Sequence, residues 1–212
     1  MTAEYGFEFF ALLVAFGINA VIPGADFAMV LRQSIAHGRR TALFTSAGIA
    51  TAILVHGTYT ILGLGLLISQ SLMAFTIVKI VGAAYLIWLA VSALRDDPPR
   101  EPEIADALTR PDMHWGAAFT LGFLTNLLNP KAVLFFVALF TTLVSAATPA
   151  TIKAGYVVTM SIELFVWFAL VSIFFALPRV RAGFFRLGRW FNRVTGLTFI
   201  ALAVRVAIAR PN

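Results

Sequence analysis

Four ionisable side chains stand deep inside apolar stretches of this sequence: Asp26, His56, Lys131 and Glu163. Charge in such surroundings is costly and by default marks a binding site, a pathway or a proton relay. Asp26 follows Pro23 by three residues, and Lys131 follows Pro130 by one. Each proline interrupts an apolar run, in Asn19-Ala20-Val21-Ile22-Pro23 and in Asn126-Leu127-Leu128-Asn129-Pro130. Each charge therefore falls in the first turn of a helix that restarts after a break. Opposite charges on two such starts are complementary to a ligand carrying both a carboxylate and an ammonium group. On this reading Lys131, with the N–H groups after Pro130, takes the carboxylate, and Asp26 takes the ammonium. Asn19 and Asn126 complete the hydrogen bonding left open at the breaks, which Pro23, Gly24 and Pro130 shape. The competing reading is that Asp26 caps its helix and pairs with Lys131 as a lock between two halves; one pair can do both. His56 and Glu163 are residue types whose charge can switch near neutral pH inside a protein, so they are the candidates for proton coupling. A lone histidine in an apolar helix is nevertheless more often a hydrogen-bonded packing residue.

The elements that position these side chains follow from composition. The chain has 212 residues, 60% of them apolar and 12% charged, with mean hydropathy +0.89. Soluble domains carry roughly 25% charge, so this is an integral membrane protein. Apolar runs at about 7–31, 41–68, 72–94, 114–147, 150–177 and 194–209 predict six spanning helices and an all-α, polytopic fold. The fourth run is too long for one straight helix, which calls for a bend at Pro130. At membrane depth an unwound stretch survives only where it lines a cavity or site, so the first and fourth helices are expected to be broken ones. No phosphate-binding loop is present, and six short-looped spans leave no room for a nucleotide-binding domain. The absence of cysteine excludes disulfides, thiolate metal sites and a cysteine nucleophile. The first residues lack a basic patch and a small-residue cleavage site, so the first span is expected to be retained.

Residues 95–113 hold four prolines and six acidic side chains and read as a solvated linker. The two sides of it echo each other. Asn19 and Asn126, Pro23 and Pro130, Gly48 and Gly155, and His56 and Glu163 are all separated by 107 residues. Gly82-Ala83-Ala84-Tyr85-Leu86 also matches Gly196-Leu197-Thr198-Phe199-Ile200 in pattern. The expected organisation is a single transporter-like domain made of repeat 1 (1–95), a cytoplasmic linker (96–112) and repeat 2 (113–212). With three spans each, the halves enter the membrane from opposite sides. In proteins so built, substrate sites lie near the midplane at discontinuous helices.

The net charge of +6 invites a nucleic-acid reading, but the positions of the charges argue for topology instead. The connections after spans one, three and five hold eleven basic residues, whereas the other side holds only Lys153, Arg205 and Arg210. Cytoplasmic loops carry the basic excess, so both termini are expected outside. The run from Arg181 to Arg193, with Arg186, Arg189 and Arg193 on one face and Phe184, Leu187 and Phe191 on another, could lie flat on the membrane surface. It reads more simply as a basic loop obeying the orientation rule. Lys79 can extend to the interface. Gly48, Gly57, Gly63 and Gly65 read as helix-packing features, leaving open whether two copies pair as a homodimer through them. His37-Gly38 reads as a turn.

Pro23-Gly24-Ala25-Asp26, Arg32-Gln33-Ser34 with Gly38-Arg39-Arg40, Gly82-Ala83-Ala84-Tyr85-Leu86, Asn129-Pro130-Lys131 and Arg189-Trp190-Phe191-Asn192-Arg193-Val194-Thr195-Gly196 occur in this order over nearly the whole chain. Together they resemble the lysine exporter (LysE/RhtB) family of amino acid efflux proteins. The resemblance implies six spans in a bacterial inner membrane and proton-driven export of amino acids or their derivatives, with no cofactor. Glu163 falls where the family tends to carry an acidic residue. Ala25 departs from the family's usual Pro-Gly-Pro, which relaxes the first break. Some relatives in the wider superfamily move divalent cations, and Asp26, His56 and Glu163 could ligate one. A fixed ammonium at Lys131 argues against that. No hydrolase or zinc-protease motif supports a membrane enzyme.

Overall fold

The computed structural model describes residues 2–95, 113–175 and 177–208. Helices α1 (Thr2–Val21), α2 (Ala25–Ala36), α3 (Gly38–Gln70) and α4 (Leu72–Arg95) form the first half. The second half comprises α5 (Trp115–Leu127), α6 (Pro130–Leu143), α7 (Ala150–Phe174), α8 (Pro178–Arg186) and α9 (Gly188–Ile208). The expected linker at 96–112 and the tail at 209–212, which carries Arg210, lie outside the described residues.

Among the described residues four helices are long and apolar enough to cross a membrane, over Glu4–Val21, Gly38–Gly63, Thr76–Arg95 and Ala150–Phe174. A fifth span is made by α5 and α6 together, bent by 59° at the break before Pro130. The bend expected there is present. The expected sixth span, 194–209, falls on α9, which is not among these; residue 209 lies outside the described residues. The first break also differs from expectation. Instead of dividing one span at Pro23, it follows a 20-residue α1 that reaches span length alone, and α2 is a further 12-residue helix. The outward surface is apolar, with Phe10, Ile80, Trp88, Ile162 and Val166 all more than half exposed, as suits lipid contact. The chain is an all-helical, multi-pass membrane protein.

Inside, polar side chains are satisfied locally. Thr45, Ser46, Thr51, Thr58, Thr125 and Thr141 each donate to the carbonyl four residues back, which removes their hydroxyls from competition with the helix. Backbones then approach closely where glycine allows it. A Cβ at Gly48 would collide with the Phe119 carbonyl oxygen of α5, and one at Gly122 with that of Thr45 on α3. Gly57 takes Val157 of α7 against its backbone, and Ser161 of α7 donates to the Ala50 carbonyl at 2.7 Å. Gly48 and Gly57 thus pack within the chain and not between copies. Gly38 turns the chain between α2 and α3 with φ of 83°, which its neighbours' side chains would not tolerate.

The run from Arg181 to Arg193 is not one surface helix. It breaks at Leu187, and Phe184 faces inward, stacked on Phe27 at 5.2 Å and set edge-on to Phe175 at 4.9 Å.

Because the atoms over Gly48 and Gly122 are backbone and cannot swing aside, Gly48→Ala and Gly122→Ala should each destabilise by about 1–3 kcal/mol. Gly155→Ala should be neutral, since nothing lies within 4 Å of a Cβ there. Thermal unfolding in detergent, followed by the loss of the monodisperse peak, checks all three.

Candidate functional site

Both breaks open on one cavity of about 70 Å³. Proline explains where they fall, since it lacks an N–H and its ring clashes with the preceding turn. At the first break the chain is closed by Ile22 N–H donating to the Asn19 carbonyl, and at the second by Asn129 N–H donating to that of Asn126. The backbone is therefore completed by backbone, and the Asn19 and Asn126 side chains are released for other work. Gly24 precedes α2 in extended conformation and provides no side-chain cap. Asn129 does cap α6, accepting from the Lys131 N–H at 3.0 Å. Asn129 was not singled out in the sequence, although asparagine before Pro at N1 is a helix-start signal.

Asn19, Gly24, Asp26, Asn126, Asn129 and Lys131 form the polar part of the lining. Phe16, Phe27, Ile53, Phe135, Phe136, Leu164 and Phe168 form the apolar part. Pro23 and Pro130 shape the breaks without lining the cavity. Lys131 lies within electrostatic reach of Asp26. The two stand in opposite fields: Asp26, in the first turn of α2, gains from the positive end of the helix dipole, whereas Lys131, in the first turn of α6, is disfavoured by it. Lys131, although it lines the cavity, is exposed.

A hydrogen-bonded chain leads away from Asp26. Asn126, almost wholly buried, donates through Nδ2 to Asp26 Oδ2 at 2.8 Å, and its Oδ1 is 3.1 Å from His56 Nε2. His56 Nδ1 is 2.6 Å from the Tyr59 hydroxyl. The amide orientation dictates the rest: Oδ1 accepts from Nε2–H, so Nδ1 is an acceptor and Tyr59 donates to it. His56 is completely buried. Tyr59, three residues along the same helix face, went unremarked in the sequence, though that spacing brings side chains together.

Two acceptors of residues that line the cavity remain without a donor. Asp26 Oδ1 and Asn19 Oδ1 are buried and have no hydrogen-bond partner. Asn19 and Asn126, equivalent in sequence, thus differ in role. Glu163 is not brought into the cavity lining. It sits behind it on α7, with Oε1 filling the space over Gly17 of α1 and Oε2 without a partner, while Leu164 and Phe168 present the wall. Asp26, His56 and Glu163 do not assemble as ligands; among the described residues no group of three His, Asp or Glu side chains could hold a metal ion.

A charged cavity at two broken helices, inside a multi-pass apolar bundle, defines a membrane protein with an internal polar site. The chain matches the family described as LysE type translocator over residues 17–210, and it belongs to that family. It is 29% identical over 202 residues to a threonine efflux protein of Salmonella typhi, covering 95% of this chain and 98% of that one. Its identity to a threonine efflux protein of Escherichia coli is 31% over 188 residues, 89% of this chain and 91% of the relative. A homoserine/homoserine lactone efflux protein of Salmonella typhimurium is 36% identical over 141 residues, 66% and 65% of the two chains. No solved structure matches.

The seat of Glu163 yields a stability prediction. A Cβ at Gly17 would meet only the end of the flexible Glu163 side chain, which can turn aside, so Gly17→Ala should destabilise by less than about 1 kcal/mol. In a Glu163→Ala background the same substitution should be neutral or slightly stabilising, because alanine is the better helix former. A double-mutant cycle on unfolding temperature reads the coupling.

Proposed function

We propose that this protein exports a small, neutral amino acid or a close derivative across a bacterial inner membrane, driven by proton entry. The observation that carries the reading is the pair of buried acceptors without donors, Asp26 Oδ1 and Asn19 Oδ1, in a cavity that also holds the Lys131 side chain. An ammonium group supplies the missing donors, and a carboxylate answers Lys131. With the first N–H of α6 already capped by Asn129, the lysine side chain is the main carboxylate partner. The cavity has one carboxylate, and its remaining walls are aromatic and aliphatic, so a second positive charge on the cargo would be left unpaired. Relatives named for efflux of threonine and of homoserine support the class.

Proton coupling is assigned to Glu163, whose Oε2 is without a partner, and to His56, whose chain ends on Asp26. The architecture we favour is six spans in two inverted repeats, α1–α4 and α5–α9, with α8 as an addition and both termini outside. Reciprocal packing supports it: α1 lies against α6 as α2 does against α5, while α3 and α7, and α4 and α9, pair as mates. A divalent-cation exporter lacks support, since no ligand cluster is formed among the described residues.

Counterflow in liposomes preloaded with single amino acids, Mn²⁺ or Cd²⁺ tests the cargo. Short neutral amino acids should accelerate uptake, and Asp26→Asn and Lys131→Ala should each cut it by roughly 100-fold or more, the consequence of leaving one charged group of the bound cargo without its partner. Acceleration by metal ions alone overturns the reading. Glu163→Gln should keep counterflow and lose accumulation driven by an imposed pH gradient; an unaltered gradient response would remove Glu163 from coupling.

A further inference from the structure

The most buried carboxylate among the described residues is not in the cavity. Glu8 of α1, 7% exposed, receives the Ser145 N–H at 2.9 Å, the Thr148 hydroxyl at 3.0 and 2.9 Å on its two oxygens, and the Tyr156 hydroxyl at 3.2 Å. Tyr156 also reaches the Tyr5 carbonyl at 3.0 Å, and Lys153, within electrostatic reach of Glu8, pins the same loop through the Ala146 carbonyl at 3.3 Å. The Ser145 N–H and the Thr148 hydroxyl donate to Glu8, while the single Tyr156 hydroxyl proton is shared between Glu8 and the Tyr5 carbonyl, so the cluster ties α1, the α6–α7 loop and α7 together. Nothing in the amino-acid sequence announces this cluster, because its members are about 140 residues apart.

Three elements that line the cavity meet again at Glu8. Helix α1 contributes Phe16 and Asn19 to the cavity and Glu8 to the cluster. Helix α6 begins at the cavity with Lys131 and ends at the loop that supplies Ser145 and Thr148, and α7 supplies Tyr156 to the cluster and Leu164 to the cavity. Eleven residues of helix, about 16 Å, separate Glu8 from Asn19. Between the two levels these helices bury Leu12, Leu139, Leu143 and Met160 and hold the Glu163 carboxyl over Gly17, with Glu8 at the far end. On the opposite side of the cavity the closure is of another kind, a ring cluster of Phe27, Phe175, Phe184 and Trp167.

We propose that the Glu8 cluster is a lock that closes the cavity on the face of the membrane where α1 begins, and that α1 must part from the α6–α7 loop there for cargo to leave. This rests on the transporter reading of the cavity. A buried carboxyl group held by hydrogen bonds is a poor device for stability alone, since apolar packing does that at less cost. It suits a contact that must break and re-form, because water replaces its donors when the helices separate. Glu8 is a positioning residue: it touches no cargo and acts through α1.

The chain has no cysteine, so one introduced thiol is a unique reporter. Ala20→Cys, at the cavity wall, is exposed to a membrane-impermeant maleimide in right-side-out and in inverted vesicles containing the full chain. In the otherwise unmodified protein, labelling should be slow from the face where α1 begins. Glu8→Gln and Tyr156→Phe should each raise it from that face by about tenfold or more, the loss of one hydrogen bond, and leave the other face unchanged. No rise, or an equal rise from both faces, overturns the lock. Should Glu8→Gln fail to fold, Thr148→Val and Tyr156→Phe, each removing one donor with little change in shape, decide the question. Unaltered labelling alongside amino acid counterflow sinks the lock alone; absent counterflow in the native sequence sinks the transporter reading and leaves the labelling result standing.

Discussion

A helix can stop inside hydrocarbon only where something other than water completes its last hydrogen bonds, and the arrangement of this protein depends on two such stops. At each, a turn of the backbone closes on an asparagine carbonyl three residues back. That closure costs no side chain. It also fixes where the next helix begins, and so brings Asp26 and Lys131 to the walls of one cavity. The charges follow from the breaks and not the reverse.

The two restarts are finished differently, and the difference matters electrostatically. Helix α6 carries a capping asparagine and a cation in its first turn, whereas α2 carries an anion and no side-chain cap. Ala25 keeps an N–H that a proline at that position would lack, so the start of α2 has a donor more than the Pro-Gly-Pro form of the motif would leave it. Asp26 is held from behind by the Asn126 amide, whose orientation His56 and Tyr59 determine. One oxygen is thereby committed and the other is left facing a vacant requirement. A site with a committed oxygen, an open oxygen and a nearby cation is biased toward a ligand with both signs of charge.

Much of this was legible in the sequence. Proline inside an apolar run locates a break to within a residue or two, and both breaks, with the charges just after them, stand where the residues placed them. What could not be read was which of two equivalent side chains would do what. Asn19 and Asn126 have the same local context, but only Asn126 lies opposite a histidine, and that depends on how α3 crosses α5. Glu163 was legible as an ionisable group in an apolar helix equivalent in position to His56, but not the helix rotation that turns it toward Gly17 while Leu164 and Phe168 line the cavity. The inward turn of Phe184 was hidden for a similar reason, since a basic amphipathic segment has the same pattern whether its apolar face meets lipid or a neighbouring ring. Glu8 gave no local sign at all, because its partners come from a loop in the other half.

The unequal packing of the halves decides which interface can move. Gly48 draws α3 and α5 into contact of backbone with backbone, whereas its counterpart Gly155 faces open space, and α1 and α7 are correspondingly less tightly packed. The interface with fewer close contacts is also the one that holds carboxyl groups: Glu163 over Gly17 and Glu8 at the far end. On the tight side the equivalent of Glu163 is His56, fully buried and bonded at both nitrogens. Separating α3 from α5 would break that chain and expose backbone in hydrocarbon. Separating α1 from α7 exposes two carboxyl groups, and water or a proton can compensate both. The looser interface thus holds two carboxyl groups, and the tighter one a histidine bonded at both nitrogens.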